Sequence, residues 1–363
     1  MTTALYEIAN AADAVVTVCT GNYLHYARAL AQSIHDHQPA LPIFACVVDV
    51  AAGELSKEAK PLHLFAAEQL PIPAWRRFAF QYHPLELCAA LVPWVVQYIF
   101  DSIGCRRVVY LDCDIQVYAE LTPVYESLDQ YDVVLTPHLT APLPVDGRIP
   151  SEMQILRTGV YNGGFLAVRE GTRARQMLEW WQAKLRSDCI IDVPNHRYAN
   201  QRFLDLVPGL FEGVKIERSS AYNVAYWNIA PRELRLDADG KPSVDGRPLI
   251  FFHYSNFDPR RPDRLTTHPN RLTAENESVV RSLLSRYVRR LSECGMASCG
   301  ELPYGFRTLN NGYRIRDGWR KAVRLNHPTL ADVDDPFDAR ATPGLALRLS
   351  WASWQVRRRT ADE

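Results

Sequence analysis

The sequence predicts an α/β fold with a mostly parallel central sheet, and three stretches predict it. Ala14 to Cys19 is an apolar, β-branched run. Leu24 to His35 sets Ala27, Leu30, Ala31 and Ile34 on one helical face, and Ile43 to Val48 is a second buried run closed by Asp49. Strand, helix and strand in that order mark a parallel unit. The third stretch is Val108 to Leu111, a buried strand that stops at Asp112-Cys113-Asp114.

Composition narrows the class. A chain of 363 residues with 47% apolar and 23% charged residues suits a globular core with an appendage. We divide it into a core, 1–270, and an accessory helical segment, 271–363, because prolines and arginines alternate from about Asp258 up to Leu272. A net charge of +0 supplies no global field toward nucleic acid or anionic lipid. The 8 cysteines include no C-x-x-C pair, which argues against zinc and for free thiols in a reducing, cytoplasmic setting. The apolar stretch from Cys88 to Phe100 is interrupted by Pro93 and Gln97, so no span across a membrane is expected.

Further elements follow in order. Gly21 lies beyond the first strand, between Thr20 and Asn22-Tyr23, where a ligand can approach backbone past the carboxyl ends of the strands. Glu86 to Phe100 reads as a helix that Pro93 kinks or restarts. Thr122-Pro123 opens a short helix, and Asp132 to Leu135 is a strand. The segment 138–157, rich in proline, is a long loop, either a lid or a solvent-exposed excursion. Gly159 to Gly164 then feeds a strand, Phe165 to Val168, and Thr172 caps a helix with Leu178, Trp181 and Leu185 inward. Asn200 to Leu206 reads as a short helix, Val214 to Glu217 as a strand, and Leu249 to Phe252 as a last strand of the same sheet. Ser278 to Leu291 reads as a basic amphipathic helix.

Two carboxylates closing a buried strand are costly unless a cation joins them. Residues i and i+2 of an extended chain point the same way, so Asp112 and Asp114 can share one ion. Hard oxygen ligands suit Mg²⁺ or Mn²⁺, which also take phosphate oxygens. His253 ends an apolar strand too; it either completes the ligand set or is a hydrogen-bonded core histidine. Asn162 beside Gly163-Gly164 admits a flat polar ligand such as a sugar ring, or is a plain turn. These residues together suggest a divalent ion carrying the diphosphate of a nucleotide sugar.

With Val15–Tyr23, Val109–Asp114, Tyr161–Phe165, Asn200–Leu204 and Ile250–Tyr254 in this order, the chain resembles the GT-A glycosyltransferases, most closely family 8. The form of Tyr222–Asn228 and His253–Pro259 resembles bacterial members tied to surface polysaccharide biosynthesis. The resemblance implies a GT-A, Rossmann-like sheet with a C-terminal helical extension. It also implies a metal-dependent hexosyltransferase that moves a sugar from a nucleotide-sugar donor, with uridine favoured, to a glycan or lipid-linked acceptor. Asp112, Asp114 and His253 would hold Mn²⁺ or Mg²⁺. The donor would meet Thr20, Gly21, Asn22, Tyr23, Asp49, Asn162, Gly163, Gly164 and Asn223, with Tyr23 stacked on the base. Gln201, Asn200 and Asp112 would serve catalysis, and retention of anomeric configuration would follow same-face attack near the Gln201 amide.

Two positions depart from that pattern. Asn200 replaces an acid, and Val92 stands where many relatives have lysine, leaving Arg76, Arg77 or Arg157 to supply a cation. A sugar-phosphate nucleotidyltransferase would need a glycine-rich, basic first loop, which Thr20–Tyr23 is not. A non-catalytic sugar-nucleotide-binding protein is the other alternative. Trp351 and Trp354 with Arg357–Arg359 either touch the inner membrane peripherally or belong to a helix packed on the core. The acids Asp332, Asp334, Asp335 and Asp338 read as surface.

Overall fold

β-Branched and small apolar side chains build the strands that hold the molecule together. β1 (Asp13–Cys19) pairs in parallel with β2 (Ile43–Val47) and with β4 (Arg107–Leu111), and β2 pairs in parallel with β3 (Leu62–Ala66). β5 (Ile115–Val117) leaves this sheet, and the chain returns to it as β6 (Val133–Pro137), β7 (Tyr161–Arg169) and β8 (Val214–Ile216). The seven strands lie in the order β8-β6-β7-β4-β1-β2-β3, and β7 is antiparallel to both neighbours. The expected class, a mostly parallel sheet flanked by helices with further helices toward the C-terminus, is the one observed. The computed structural model describes residues 11–55 and 61–359, with Arg359 as backbone alone.

The period of two along each strand separates two cores. Val16, Val18, Val108 and Tyr110 face one side, and Val15, Val109 and Leu111 the other. Helix α1 (Leu24–His35) covers the second side with the face foreseen for it, burying Ala27, Leu30, Ala31 and Ile34. On the first side lie α2 (Pro84–Tyr98) and, farther along the chain, α4 (Thr172–Leu185). Pro93 neither restarts nor breaks α2. Its missing N–H frees the carbonyl of Ala89, and Asn200 Nδ2 donates to that oxygen at 3.1 Å. The apolar helix therefore runs on through a wide turn to Ile103, 20 residues in all, and is long enough by length and composition to cross a membrane. Here it packs in the core, with Leu87, Leu91 and Val95 fully buried.

Three expectations change. Asn162-Gly163-Gly164 lies inside β7 rather than in a turn ahead of a strand. The strand carrying His253 is β9 (Phe251–His253), and it does not join the main sheet. It pairs antiparallel with β5, with His253 opposite Ile115. The 138–157 segment contains a helix, α3 (Glu152–Thr158).

The C-terminal helices are α5 (Ala274–Glu293), α6 (Asp317–Arg324) and α7 (Leu345–Arg359). Leu283 and Tyr287 of α5 enter one core, and Trp319 and Leu349 enter the other. The buried Arg320 donates to the carbonyls of Phe80, Tyr82 and Phe306 at 2.7–2.9 Å. Asp335 pairs with Arg76 at 3.0 Å and Asp332 with Arg348, so these acids hold loops together at the surface. Of the basic run 357–359, the Arg359 side chain lies outside the described residues, as do residues 360–363 and 1–10 at the ends of the two segments.

Arg271 pins the proline-rich loop. Its side chain is buried, donates to Arg148 O at 3.0 Å, and pairs with Asp146 at 2.6 Å. Arg271→Ala should release residues 140–150 to early cleavage in limited proteolysis while α1 and α2 stay protected. Cleavage at the wild-type rate would show that the loop is held by other contacts.

Candidate metal and sugar site

β4 and β7 deliver the first acid. The pairing of these strands extends one step past β4, where Asp112 N–H donates to Gly164 O at 2.9 Å. The chain then turns, Ile115 N–H reaching Asp112 O at 3.1 Å, and enters β5. Because β5 pairs with β9, Asp114 and His253 become neighbours, and Tyr254 N–H donates to Asp114 O at 3.0 Å. His253 Nε2 lies 3.1 Å from Asp114 Oδ1 and 3.7 Å from Asp112 Oδ2. One ligand atom from each of Asp112, Asp114 and His253 lies within 4.8 Å of the others. Cis ligands of an ion bonded at 2.0–2.1 Å sit about 3 Å apart, so the set fits a metal site.

The surroundings orient each ligand. Tyr110 Oη donates to Asp112 Oδ1 at 2.6 Å. Asn223 was expected among the donor contacts, but it is buried behind the imidazole. Its Oδ1 lies 3.3 Å from His253 Nδ1, and its Nδ2 donates to Thr136 Oγ1 at 3.0 Å. Asn223 Oδ1 accepts the Nδ1 proton, leaving the Nε2 lone pair toward the acids, the arrangement metal-binding histidines use. Trp227 meets the His253 ring edge to face at 5.3 Å. Burial alone would lower the His253 pKa, but the charge and hydrogen bond of Asp114, with Asp112, raise it. Burial also pushes Asp112 up; His253 opposes that shift and Asp114 adds to it.

Gly164 lets β7 pass close against the cluster. A Cβ there would lie 2.6 Å from Asp112 Oδ2, 2.6 Å from His253 Cε1 and 2.9 Å from Asn162 Oδ1. Beside it, Gln201 Oε1 accepts from Gly163 N–H at 3.0 Å and Asn162 Nδ2 at 3.3 Å, while its Nε2 donates to Thr158 O at 2.9 Å. The Gln201 amide is thus committed to shaping β7 and the end of α3. Asn200 is buried, with its amide spent on α2.

The nucleotide end was expected at Thr20 to Tyr23. Tyr23 is 46% exposed and stacks on Tyr26 with centroids 5.0 Å apart, leaving a ring face for a planar ligand. Thr20 Oγ1 donates to Asn22 Oδ1 at 2.6 Å. Asp49 has both oxygens in use, one accepting from Gly21 N–H at 2.7 Å and the other from Gly305 N–H at 2.8 Å. It therefore sets the loop rather than offering a free carboxylate. Arg76 and Arg77 bond to the C-terminal segment, Arg77 to the Leu330 and Val333 carbonyls. Arg157 is exposed on α3, without an ion pair among the described residues.

Sequence reasoning missed His138, which follows β6 as Asp112 follows β4. Asn162 Nδ2 donates to its Nε2 at 3.2 Å, and its Nδ1 lies 3.3 Å from Val160 O. Burial pushes its imidazole down to about 4; the Val160 bond opposes the shift and His253 adds to it. An unfolded histidine titrates near 6.5, so between those values the unfolded chain holds a proton that the folded chain refuses. Stability should therefore fall as pH drops through this window, by about 3 kcal/mol from this residue. Burial depresses His25 to about 4 as well, with the same sign. Urea unfolding between pH 7 and 4.5 should show a shallower decline for His138→Asn; an unchanged slope would assign the loss to other groups.

No family model matches the chain. Two uncharacterised proteins of Bacillus subtilis (strain 168) are similar to it. YfnF is 26% identical over 250 residues, 68% of this chain and 82% of YfnF. YfnD is 23% identical over 246 residues, 66% and 76% of the two chains. Among solved structures, the galactosyltransferase LgtC, in complex with donor and acceptor sugar analogues, has a TM-score of 0.44 at 17% identity, covering 81% of this chain and 99% of its own. GlyE of Streptococcus pneumoniae TIGR4 has 0.44 at 15%, covering 82% and 67%. The bifunctional WbbM has 0.42 at 14%, covering 79% and 52%. All three are glycosyltransferases. At these levels they are likenesses of architecture, and the chemistry of this chain is read from its own side chains.

Proposed function

We propose that this chain is a metal-dependent glycosyltransferase that moves a hexose from a nucleoside diphosphate donor, with uridine as the base, to a glycan or lipid-linked acceptor. The observation that carries the reading is the Asp112, Asp114 and His253 cluster beneath the side-chain-free Gly164, one parallel strand away from the exposed Tyr23. Asp112, Asp114 and His253 would hold Mn²⁺ or Mg²⁺, whose chemistry here is neutralising charge on a departing diphosphate. Tyr23 stacks on the base, and the Gly21 amide loop, held by Asp49, follows the ribose. Arg260, within electrostatic reach of Tyr23 and paired with Asp258 at 2.9 Å, and Arg261 beside it are the cations offered in place of a lysine at the buried Val92.

The sugar then lies beside the cluster along β7, whose close approach to the ligands Gly164 permits. Gln201 and Asn162 position that surface, and Asn200 holds it against α2. The carboxylates at the cluster are those committed to the ion, so same-face attack with retention is the path the residues favour. The 138–157 loop excludes water that would hydrolyse the donor. Screening nucleotide sugars with Mn²⁺ tests the reading. Metal-dependent release of a nucleoside diphosphate is expected; pyrophosphate release would indicate nucleotidyl transfer, and binding without turnover a sugar-nucleotide-binding protein.

The reading extends to a cytoplasmic protein touching the inner membrane face. Its support is the stacked Trp351 and Trp354, 51% and 41% exposed, with Arg358 over Trp354 at 4.7 Å. Vesicles containing phosphatidylglycerol should sediment the wild type and not the Trp351→Ala, Trp354→Ala double variant; equal sedimentation would remove the membrane contact.

A further inference from the structure

Beside the β5–β9 ribbon, where α1 ends against α5, lies a second cavity of about 380 Å³. Arg286, Arg289 and Arg290 of α5 line it, facing Gln116 of β5. It shares no residue with the Asp112, Asp114 and His253 cluster.

The three guanidinium groups differ in what they already hold. Arg290 is paired with Asp36 at 2.8 Å. Arg286 gives one N–H to Gly240 O at 2.5 Å and keeps its other donors. Arg289 is exposed and makes no ion pair or hydrogen bond among the described residues, Glu293 one turn along the helix included. The floor of the cavity is polar in the opposite sense. Gln116 is 5% exposed, yet its Oε1 has no donor. A buried carbonyl oxygen without a partner costs free energy until a donor reaches it. The cavity thus combines guanidinium donors, which outnumber the carboxylates of Asp36 and Glu293 on its wall, with a buried acceptor that has no donor.

We infer that this cavity binds a monosaccharide-sized anion, a hydroxyl-rich molecule carrying a phosphate or a carboxylate. Its volume suits a small ligand. Arg289 and Arg286 take the anionic group in charge-assisted hydrogen bonds, for which the guanidinium fork is suited. A ligand hydroxyl donates to Gln116 Oε1. A bare anion would leave that oxygen unpaired, and a neutral sugar would leave Arg289 unpaired, so the site demands both groups on one molecule. The cavity lining includes none of Asp112, Asp114 and His253, so the site is distinct from the metal cluster, although Gln116 stands on the same ribbon two residues after Asp114.

Titration calorimetry on the full chain tests this, in EDTA so that no divalent ion draws phosphate to the Asp112 cluster. The probes are glucose 1-phosphate, glucuronate, inorganic phosphate and glucose. At least one of the first two should bind, the tighter of them telling phosphate from carboxylate, and glucose should not. Arg289→Glu should weaken that binding at least about tenfold, the loss expected for one charge-assisted hydrogen bond. Gln116→Leu should weaken the sugar-bearing anion and leave inorganic phosphate unchanged, and Asp114→Ala should bind as the wild type does. Failure of both organic anions to bind, indifference to Arg289→Glu, or equal binding of glucose would overturn the proposal. So would loss of binding in Asp114→Ala, which would place the ligand in the metal cleft.

Discussion

Asp114→Ala is expected to lower kcat/KM for sugar transfer at least about a thousandfold, since charge neutralisation by a bound ion is worth several kcal/mol. The fold should survive. The Asp114 side chain is partly exposed and sits at a strand end, and β5 keeps its backbone pairing with β9 through His253 and Ile115. The diagnostic measurement is thermal unfolding with and without Mn²⁺. The wild type should gain stability with the ion, as any ligand of the folded state confers, and the variant should gain none. Asp114→Asn separates charge from shape, because it keeps the volume and the contact to His253. A variant that still responds to Mn²⁺ would show that the ion binds somewhere else.

Gly164→Ala should damage the site almost as severely without removing any candidate ligand. Its new Cβ would stand 2.6 Å from both Asp112 Oδ2 and His253 Cε1. β7 cannot step aside, because it is hydrogen-bonded to β4 on one edge and β6 on the other. The acid and the imidazole must therefore rotate away. We expect an activity loss of about a hundredfold or more and a destabilisation of about 1–3 kcal/mol from overpacking. Gly163→Ala is the control. Its Cβ would press on Asn200 Oδ1 at 2.7 Å instead, so the response to Mn²⁺ should be retained even if turnover falls. If the two variants lose the metal response equally, the effect is one of strand distortion and not of the new Cβ pressing on the cluster.

The sequence reveals the parts of the fold that repeat a local pattern. β1, α1 and β2 are legible because their apolar periods are long and uninterrupted. Asp112, Asp114 and His253 stand out by one rule, that a polar side chain at the end of a buried strand needs a reason to be there. The same rule applies to His138 after β6, though the prolines that follow it draw the eye to the loop. The ribbon of β5 and β9 is hidden because three residues a strand carry no period, and its pairing joins segments far apart in sequence.

Asn223 is illegible for another reason. Its backbone takes the left-handed conformation, with φ at +52°, which asparagine tolerates, and that turns its amide inward to His253. From sequence it is only one more polar residue. Pro93 misled in a similar way. A proline in an apolar run signals a break unless something supplies the freed carbonyl, and here that something is Asn200, more than a hundred residues later. The amide that departs from the family pattern is the one that keeps α2 whole.

The carboxylate of Asp49 touches two amides separated by most of the chain, those of Gly21 and Gly305. That contact has a meaning for synthesis on the ribosome, where the N-terminal part emerges and folds first. β1, α1 and β2 can assemble early, but Asp49 lacks one of its two amide partners until Gly305 has left the exit tunnel. In a nascent chain Asp49 thus holds Gly21 with one oxygen while the other waits, and a product truncated near residue 270 keeps that second oxygen without its Gly305 partner.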